Sequence, residues 1–364
     1  MNFFFKDSKY SIVRYPTSDN KSLQAWSAAD EHLLKYLSDH QALSQHPILY
    51  NDRFGFLSTV LSEFNPSTVV NFKSQEKAIE LNASKNGVDL KNISKIEPLD
   101  TLSKSFDLAL IKIPKSLDLF RLQLDQIHQS LNEDATVICS FMTKYFSRKT
   151  IEIAEKYFEQ CEQTRAWKKS RLLILKKKKK VDPTLHINTV SIDKTKSFKQ
   201  YYGVFSAKNI DYATQFFATN MDVQTTDNKI LDLASGNGVL AHVALSKNPN
   251  AEIHLVDDSF LAVESSKINI DSKNAHFHFS DDLSAFQSNT FDLVVSNPPF
   301  HFEFETNIEI ALNLFADVKR CLKKGGVFQL VTSNHLNLKT HLFKLFHKVK
   351  LVAQNDKFVV YHCQ

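Results

Sequence analysis

The chain has 364 residues, 43% of them hydrophobic and 23% charged, with a formal net charge of +5, an ordinary soluble composition and enough chain for two domains with cores of their own. No apolar stretch approaches the length needed to span a bilayer, and the opening Met1-Asn2-Phe3-Phe4-Phe5-Lys6 is too short for a secretory h-region, so the expectation is a cytoplasmic protein, neither exported nor membrane-inserted. Cys139, Cys161, Cys321 and Cys363 form no CxxC pair and no zinc or disulfide spacing, and the histidines show no metal spacing either, so reduced thiols and no metal are expected.

The charge is unevenly placed. Residues 141–200 carry 16 Lys and Arg against 6 Asp and Glu, a local net of +10, while 1–140 and 201–364 come to −2 and −3. Such clustering attracts a polyanion such as nucleic acid. The lysine run at 176–180 taken alone fits a solvated strand end equally well.

From the N-terminus, residues 22–38 set Leu23, Trp26, Leu33, Leu34 and Leu37 at helical spacing behind Ser22 or Asp19 as caps. Alternation follows: a strand at 48–50, a helix at 56–64, a strand at 68–72, a helix at 75–84, a buried strand at 105–113, an amphipathic helix at 117–131 and a strand at 136–141. Strand–helix alternation predicts a parallel α/β sheet with helices on both faces. Residues 166–175 supply a last strand, and the basic stretch 176–198, with an Asp182-Pro183 turn, reads as a linker between domains at 1–175 and 199–364.

The second half repeats the first. Residues 105–115 align without a gap with 290–300, and both are followed by a long helix, a polar turn and a strand, at 136–141 and 327–332. This is the pattern of a duplicated domain. Its chemistry is not duplicated: Lys112 stands where Asn297 stands, Ile113 replaces Pro298, and the first strand of the first copy leads into Asn51-Asp52-Arg53-Phe54-Gly55.

Chemistry is concentrated in the strand ends of the second copy. Lys229 to Leu233 is an apolar strand running into Ala234-Ser235-Gly236-Asn237-Gly238 and a helix, the place where an α/β crevice receives a nucleotide-like ligand. A second strand ends at Asp257, about twenty residues on, as in the ribose-binding carboxylate of such crevices; capping the next helix is its other reading. The strand at 276–279 ends in Ser280-Asp281-Asp282, where Asp281 suits an adenine amino group or, again, a cap. The strand from Phe291 to Ser296 stops at Asn297-Pro298-Pro299-Phe300, because consecutive prolines cannot donate to a ladder. That turn offers an amide side chain, backbone carbonyls and an aromatic ring, a set that can hold a planar base with an exocyclic amine.

Asp232-x-Ala234-x-Gly236-x-Gly238, Asp257 and Asn297-Pro298-Pro299-Phe300, in that order, resemble class I S-adenosylmethionine-dependent methyltransferases acting on exocyclic nitrogens. Ala234 departs from the usual first glycine. The tandem arrangement, Gly203-Val204-Phe205-Ser206 and His301 resemble the bacterial ribosomal-RNA guanine-N2 methyltransferases. Leu23-Gln24-Ala25-Trp26, Asn51-Asp52-x-Phe54-Gly55, Leu110-Ile111-Lys112-x-Pro114-Lys115, Ala166-Trp167-Lys168-Lys169-x-Arg171 and Lys357-Phe358-Val359-Val360 resemble their large-subunit branch. The resemblance implies two tandem Rossmann-like methyltransferase domains, the first degenerate, and use of S-adenosylmethionine to methylate guanine N2 in 23S rRNA; a monomer is expected. It further implies a cofactor site of Phe205, Asp232, Ala234, Gly236, Gly238, Asp257, Ser280, Asp281 and Asn297, and catalysis by Asn297, Pro298, Pro299 and Phe300. Lys168, Lys169, Arg171, Lys176, Lys177, Lys178 and His301 would grip RNA. A small-subunit 16S rRNA enzyme, an adenine-N6 or glutamine-N5 methyltransferase and a non-catalytic RNA-binding scaffold stand as alternatives.

Overall fold

The computed structural model describes residues 1–17, 20, 23–102, 105–192, 196–298, 301–302, 305–306 and 308–364, without the side chains of 301, 302, 305, 306, 309 and 310. The chain divides into two compact units, Met1–His186 and Ile187–Gln364.

Each unit is built the same way. The first has strands Ile48–Tyr50, Ser67–Val69, Ser94–Ile96, Phe106–Lys112, Leu131–Met142, Phe158–Gln163 and Ser170–Lys178. The second has Lys229–Leu233, Glu252–Asp257, Ala275–Phe279, Phe291–Ser296, Leu322–Ser333, Val349–Gln354 and Phe358–Cys363. Numbered within its own domain, each set forms one seven-stranded sheet in the order 3-2-1-4-5-7-6. The first five strands pair in parallel, and the last enters antiparallel between the fifth and sixth. A two-stranded hairpin precedes each sheet, Asn2–Phe5 with Ser8–Ser11 and Ile187–Ser191 with Ser197–Tyr201. Duplication therefore holds strand by strand in the seven-stranded sheets and the hairpins that precede them. Reversal of strand order between strands one and four leaves a crevice at their carboxyl ends, where ligands bind in open α/β sheets.

The central strands are buried almost end to end, as sheets covered on both faces require. In the first domain Phe120, Leu124 and Ile127 of helix Leu117–Ser130 cover one face, and Leu33, Leu34 and Leu37 of helix Ala28–Asp39 the other. Phe291, Phe315 and Phe328 anchor one face of the second sheet, while Phe217, Leu240 and Leu255 anchor the other. Asp292, the one half-buried position inside the fourth strand, accepts from the Lys229 N–H at 2.9 Å and from Lys323 Nζ at 2.8 and 2.9 Å, which ties that strand to its neighbours.

One expectation is corrected here. The stretch at 176–198 is not one linker: Lys176, Lys177 and Lys178 finish the last strand of the first sheet, and Ile187–Ser191 opens the hairpin of the second unit. Basic composition is misleading at this point, because a strand buried at 172–175 can carry its lysines where it emerges. The sixth strand of each sheet and both opening hairpins are elements that the sequence pattern does not predict. No helix among the described residues is long and apolar enough to cross a membrane.

Candidate active site

At the carboxyl end of the second sheet, strands one and four run side by side with Leu233 in register with Ser296, whose hydroxyl donates to the Leu233 carbonyl at 2.7 Å. The two motifs singled out in the sequence, the glycine turn and Asn297, thus leave the sheet as neighbours.

The turn adopts left-handed backbone at Ala234, Gly236 and Gly238, with φ of +58°, +55° and +85°. Its two glycines serve different ends. A Cβ on Gly238 would lie 3.1 Å from Ile270 Cγ1 and 3.3 Å from the Ser266 Cβ, so this glycine lets the turn pack beside helix Phe260–Asn269. A Cβ on Gly236 would meet nothing within 4 Å. The same stretch carries the buried Ser235 hydroxyl and Asp232 Oδ1, neither of which has a partner among the described residues, so it combines open space with polar atoms that a ligand could satisfy. Ala234 takes the left-handed conformation with a methyl, which L-residues do at a cost of about 1–2 kcal/mol.

Asp232 is fully buried and its Oδ2 accepts from the Ala241 N–H at 2.9 Å, fixing the start of helix Val239–Lys247. Burial raises its carboxyl to about 7, the Ala241 N–H offsetting part of the effect. Asp257 holds the turn from the next strand: Oδ2 accepts from the Gly236 N–H and Oδ1 from the Ser259 N–H, each at 2.8 Å. Burial lifts Asp257 to about 6, with both N–H groups pulling the other way. The cap of the following helix is Ser259, not Asp257, and each Asp257 oxygen keeps a further lone pair for a ligand. The Ser280 N–H donates to the Asp257 carbonyl at 3.0 Å, placing the Ser280-Asp281 tip beside it. Phe205 is 75% exposed. Its carbonyl and that of Ser206 accept from Gln200 Nε2, while Gln200 Oε1 accepts from Asn237 Nδ2 at 2.7 Å, so its loop is fastened to the glycine turn.

Asn297 is held by residues that the sequence motifs do not single out. Its Nδ2 donates to Asp211 Oδ2 at 3.1 Å and to Thr214 Oγ1 at 2.9 Å. Asp211 is the N-cap of helix Tyr212–Asn220, accepting from the Ala213 and Thr214 N–H groups. A cap of this kind is legible locally, but its reach across 86 residues to Asn297 is not. Pro298 is buried; Pro299 and Phe300 lie outside the described residues, as does the side chain of His301, whose backbone opens the small ladder His301–Phe302 with Glu305–Thr306.

The histidines also differ from expectation. His254 and His276 are cross-strand partners, and with Glu252 they bring one ligand atom each to within 4.8 Å of one another, a metal-competent grouping that linear spacing cannot show. Lys229 Nζ lies 3.2 Å from Glu252 Oε1 and already supplies a positive charge there.

The RLMG N-terminal domain model matches residues 1–180, and the methyltransferase small domain model matches residues 195–362. A ribosomal RNA large subunit methyltransferase G of Pseudoalteromonas translucida is 32% identical over 366 residues, covering 97% of this chain and 95% of its own; that of Yersinia enterocolitica is 32% identical over 96% and 91%. The chain belongs to the ribosomal RNA large subunit methyltransferase G family. Among solved structures, the T. thermophilus 16S rRNA N2 G1207 methyltransferase RsmC, in complex with AdoMet and guanosine, superposes with a TM-score of 0.77 over 100% of this chain and 97% of that one, at 17% identity, a likeness of fold.

The first copy of the site is filled from within. Its turn has the same length and keeps left-handed backbone at Asn51 and Gly55, in line with Ala234 and Gly238. Gly55 is the packing glycine, since a Cβ there would lie 2.7 Å from the Ile79 Cα. Arg53 takes the place of the open Gly236; it is buried, stacks on Phe72 at 4.4 Å and donates to the Ser74 hydroxyl at 2.5 Å. Val70 follows the second strand where Asp257 stands in the other copy. Lys112, at the Asn297 position, pairs with buried Asp30 at 3.0 Å, and Asp30 sits in the helix turn matching Thr214.

The basic residues divide. Lys168 and Lys169 form a left-handed turn at φ of +45° and +62° and are exposed, although Lys168 also pairs with Glu31 at 2.8 Å. Lys176 and Lys177 are exposed. Arg171 is half-buried and reaches Gln163 at 3.4 Å. Lys178 is turned inward, donating to the Leu131 carbonyl at 2.8 Å, so its ammonium serves the fold first.

Proposed function

We propose that the chain methylates the exocyclic N2 of a specific guanine in 23S rRNA, acting as a cytoplasmic monomer with S-adenosylmethionine as donor. The observation that carries this is Asn297 at the crevice between strands one and four, beside the glycine turn, with its amide N–H groups already committed to Asp211 and Thr214. Its remaining polar atom, Oδ1, is an acceptor.

The guanine N2 lone pair is delocalised into the ring and is a poor nucleophile. Asn297 Oδ1 and the Pro298 carbonyl would accept the two amine hydrogens, pulling the nitrogen toward sp³ and stabilising the positive charge that grows on it. Bound S-adenosylmethionine supplies a methyl group on a positively charged sulfur. Gly236 leaves room for that cofactor, while Asp257, Ser280 and Asp281 offer polar groups to its ribose and base. Most of the remaining acceleration comes from alignment; the methylated nitrogen, acidic once it is cationic, would release its proton to water, so a strong general base is not required. Phe300 would stack on the extruded base.

Lys168, Lys169, Arg171, Lys176 and Lys177 in the first domain, with His301 in the second, would contact the RNA. The large-subunit substrate follows the names of the relatives and the first-domain match; the small-subunit enzyme shares the fold at lower identity. Asn297→Ala is expected to abolish methyl transfer while S-adenosylmethionine binds within about threefold of wild type, a change under about 1 kcal/mol. Full activity in that variant would sink the mechanism.

A further inference from the structure

We infer that Asp211 and Thr214 are positioning residues that lock the Asn297 amide in the one orientation able to accept from the substrate amine. This deepens the proposed function and rests on it.

The chemistry of the partners decides the orientation. An asparagine side chain has two nearly isosteric ends, and only its hydrogen-bonding neighbours distinguish them. Asp211 Oδ2, 3.1 Å away, is a carboxylate oxygen that also accepts from two backbone N–H groups of its helix, so it cannot donate to Asn297. Turning the amide over would set Asn297 Oδ1 against that oxygen, two acceptors face to face. Thr214 Oγ1, at 2.9 Å, accepts the second N–H. Both donors of the amide are therefore used on the helix side, and Oδ1 is left for the amine. The opposite orientation would present N–H groups to an amine that needs acceptors.

The first copy uses the same contact for the reverse purpose. Asp30, at the helix position equivalent to Thr214, holds the Lys112 ammonium at 3.0 Å at the Asn297 place. The helix start ahead of the first strand thus fixes the residue at the tip of the fourth strand in both domains. It orients an acceptor in one and plugs the position with a cation in the other.

Thr214→Val keeps the side-chain shape and removes the acceptor. It is expected to lower kcat about tenfold, the equivalent of one hydrogen bond, with KM for S-adenosylmethionine within about twofold and Tm unchanged. Thr214→Ser restores the rate. Asp211→Asn keeps a capping side chain but can turn a donor toward Asn297, and is expected to lower kcat about 100-fold, as misaligned reacting groups do. In protein selectively labelled with ¹⁵N-asparagine, the Asn297 side-chain N–H protons should exchange with solvent at least about tenfold faster in Thr214→Val than in wild type, by the same hydrogen-bond increment. Wild-type kcat in Thr214→Val, or unchanged exchange of those protons, would overturn the inference. The exchange readout needs no turnover, so an inactive wild type would count against the proposed function while the orientation is still judged.

Discussion

Gly236 and Gly238 sit two residues apart in one turn, yet the structure assigns them opposite consequences on substitution. Gly236→Ala adds a Cβ to open space at φ +55°, so the cost is left-handed strain alone, about 1 kcal/mol. Gly238→Ala adds strain at φ +85° and forces Ile270 and Ser266 back from distances of 3.1 and 3.3 Å, for a total of roughly 2–3 kcal/mol. For a domain of this size each kcal/mol is worth about 2–4 °C of Tm, so differential scanning calorimetry should place Gly238→Ala well below Gly236→Ala. Gly236→Arg puts at this position the residue type that the first copy carries as Arg53, here on left-handed backbone and with a side chain long enough to occupy the open space. It is expected to keep the fold and lose S-adenosylmethionine binding by on the order of 100-fold in calorimetric titration, roughly 3 kcal/mol. Wild-type affinity in Gly236→Arg, or equal Tm losses for the two alanine variants, would refute the division of labour.

Three further outcomes follow from the same geometry. The Asp232 carboxyl is raised to about 7 in the folded chain from an ordinary value of 3.8, so the native state holds a proton that the unfolded chain has released, and stability falls as pH rises between about 4 and 7. The ionised group costs roughly 4 kcal/mol above that window, and Asp232→Asn should flatten this part of a Tm–pH profile; an identical slope in both proteins would contradict the assignment. Lys112→Ala leaves the buried Asp30 carboxylate without this cation and should lower first-domain stability by about 1–3 kcal/mol in urea unfolding, much of it recovered when Asp30→Ala is added. Simple additivity of the two changes would count against a coupled pair. Neutralising Lys168, Lys169, Lys176 and Lys177 should weaken rRNA binding and reduce the slope of log K against log salt by about 0.7–0.9 for each phosphate that is no longer neutralised; an unchanged slope would remove these residues from the interface.

The duplicated architecture is legible because the aligned segments at 105–115 and 290–300 carry the same buried strand, and the structure extends that likeness to identical strand order. The glycines of the turn, alike in sequence, are of two kinds, a distinction that depends on Ile270 and Ser266 some thirty residues away. Polar edge strands such as Phe158–Gln163 have no strong alternation to betray them, and their pairing spans the turn between two strands. The lysine run reads as a linker because charge hides a strand end; the bond from Lys178 to the Leu131 carbonyl shows that even a basic tract can serve the fold. Asn297 is visible from its motif, but Asp211 and Thr214 are not. Nothing in Asp-Tyr-Ala-Thr at 211–214 distinguishes a helix cap from a helix cap that also aims a side chain.

The most direct test is methyl transfer from labelled S-adenosylmethionine to purified 23S and 16S rRNA, followed by nuclease digestion and mass spectrometry. One N2-methylguanosine in 23S rRNA, absent with Asn297→Ala, is the predicted result. Methylation of 16S rRNA instead, of an adenine, or of neither RNA in naked or subunit form would contradict it.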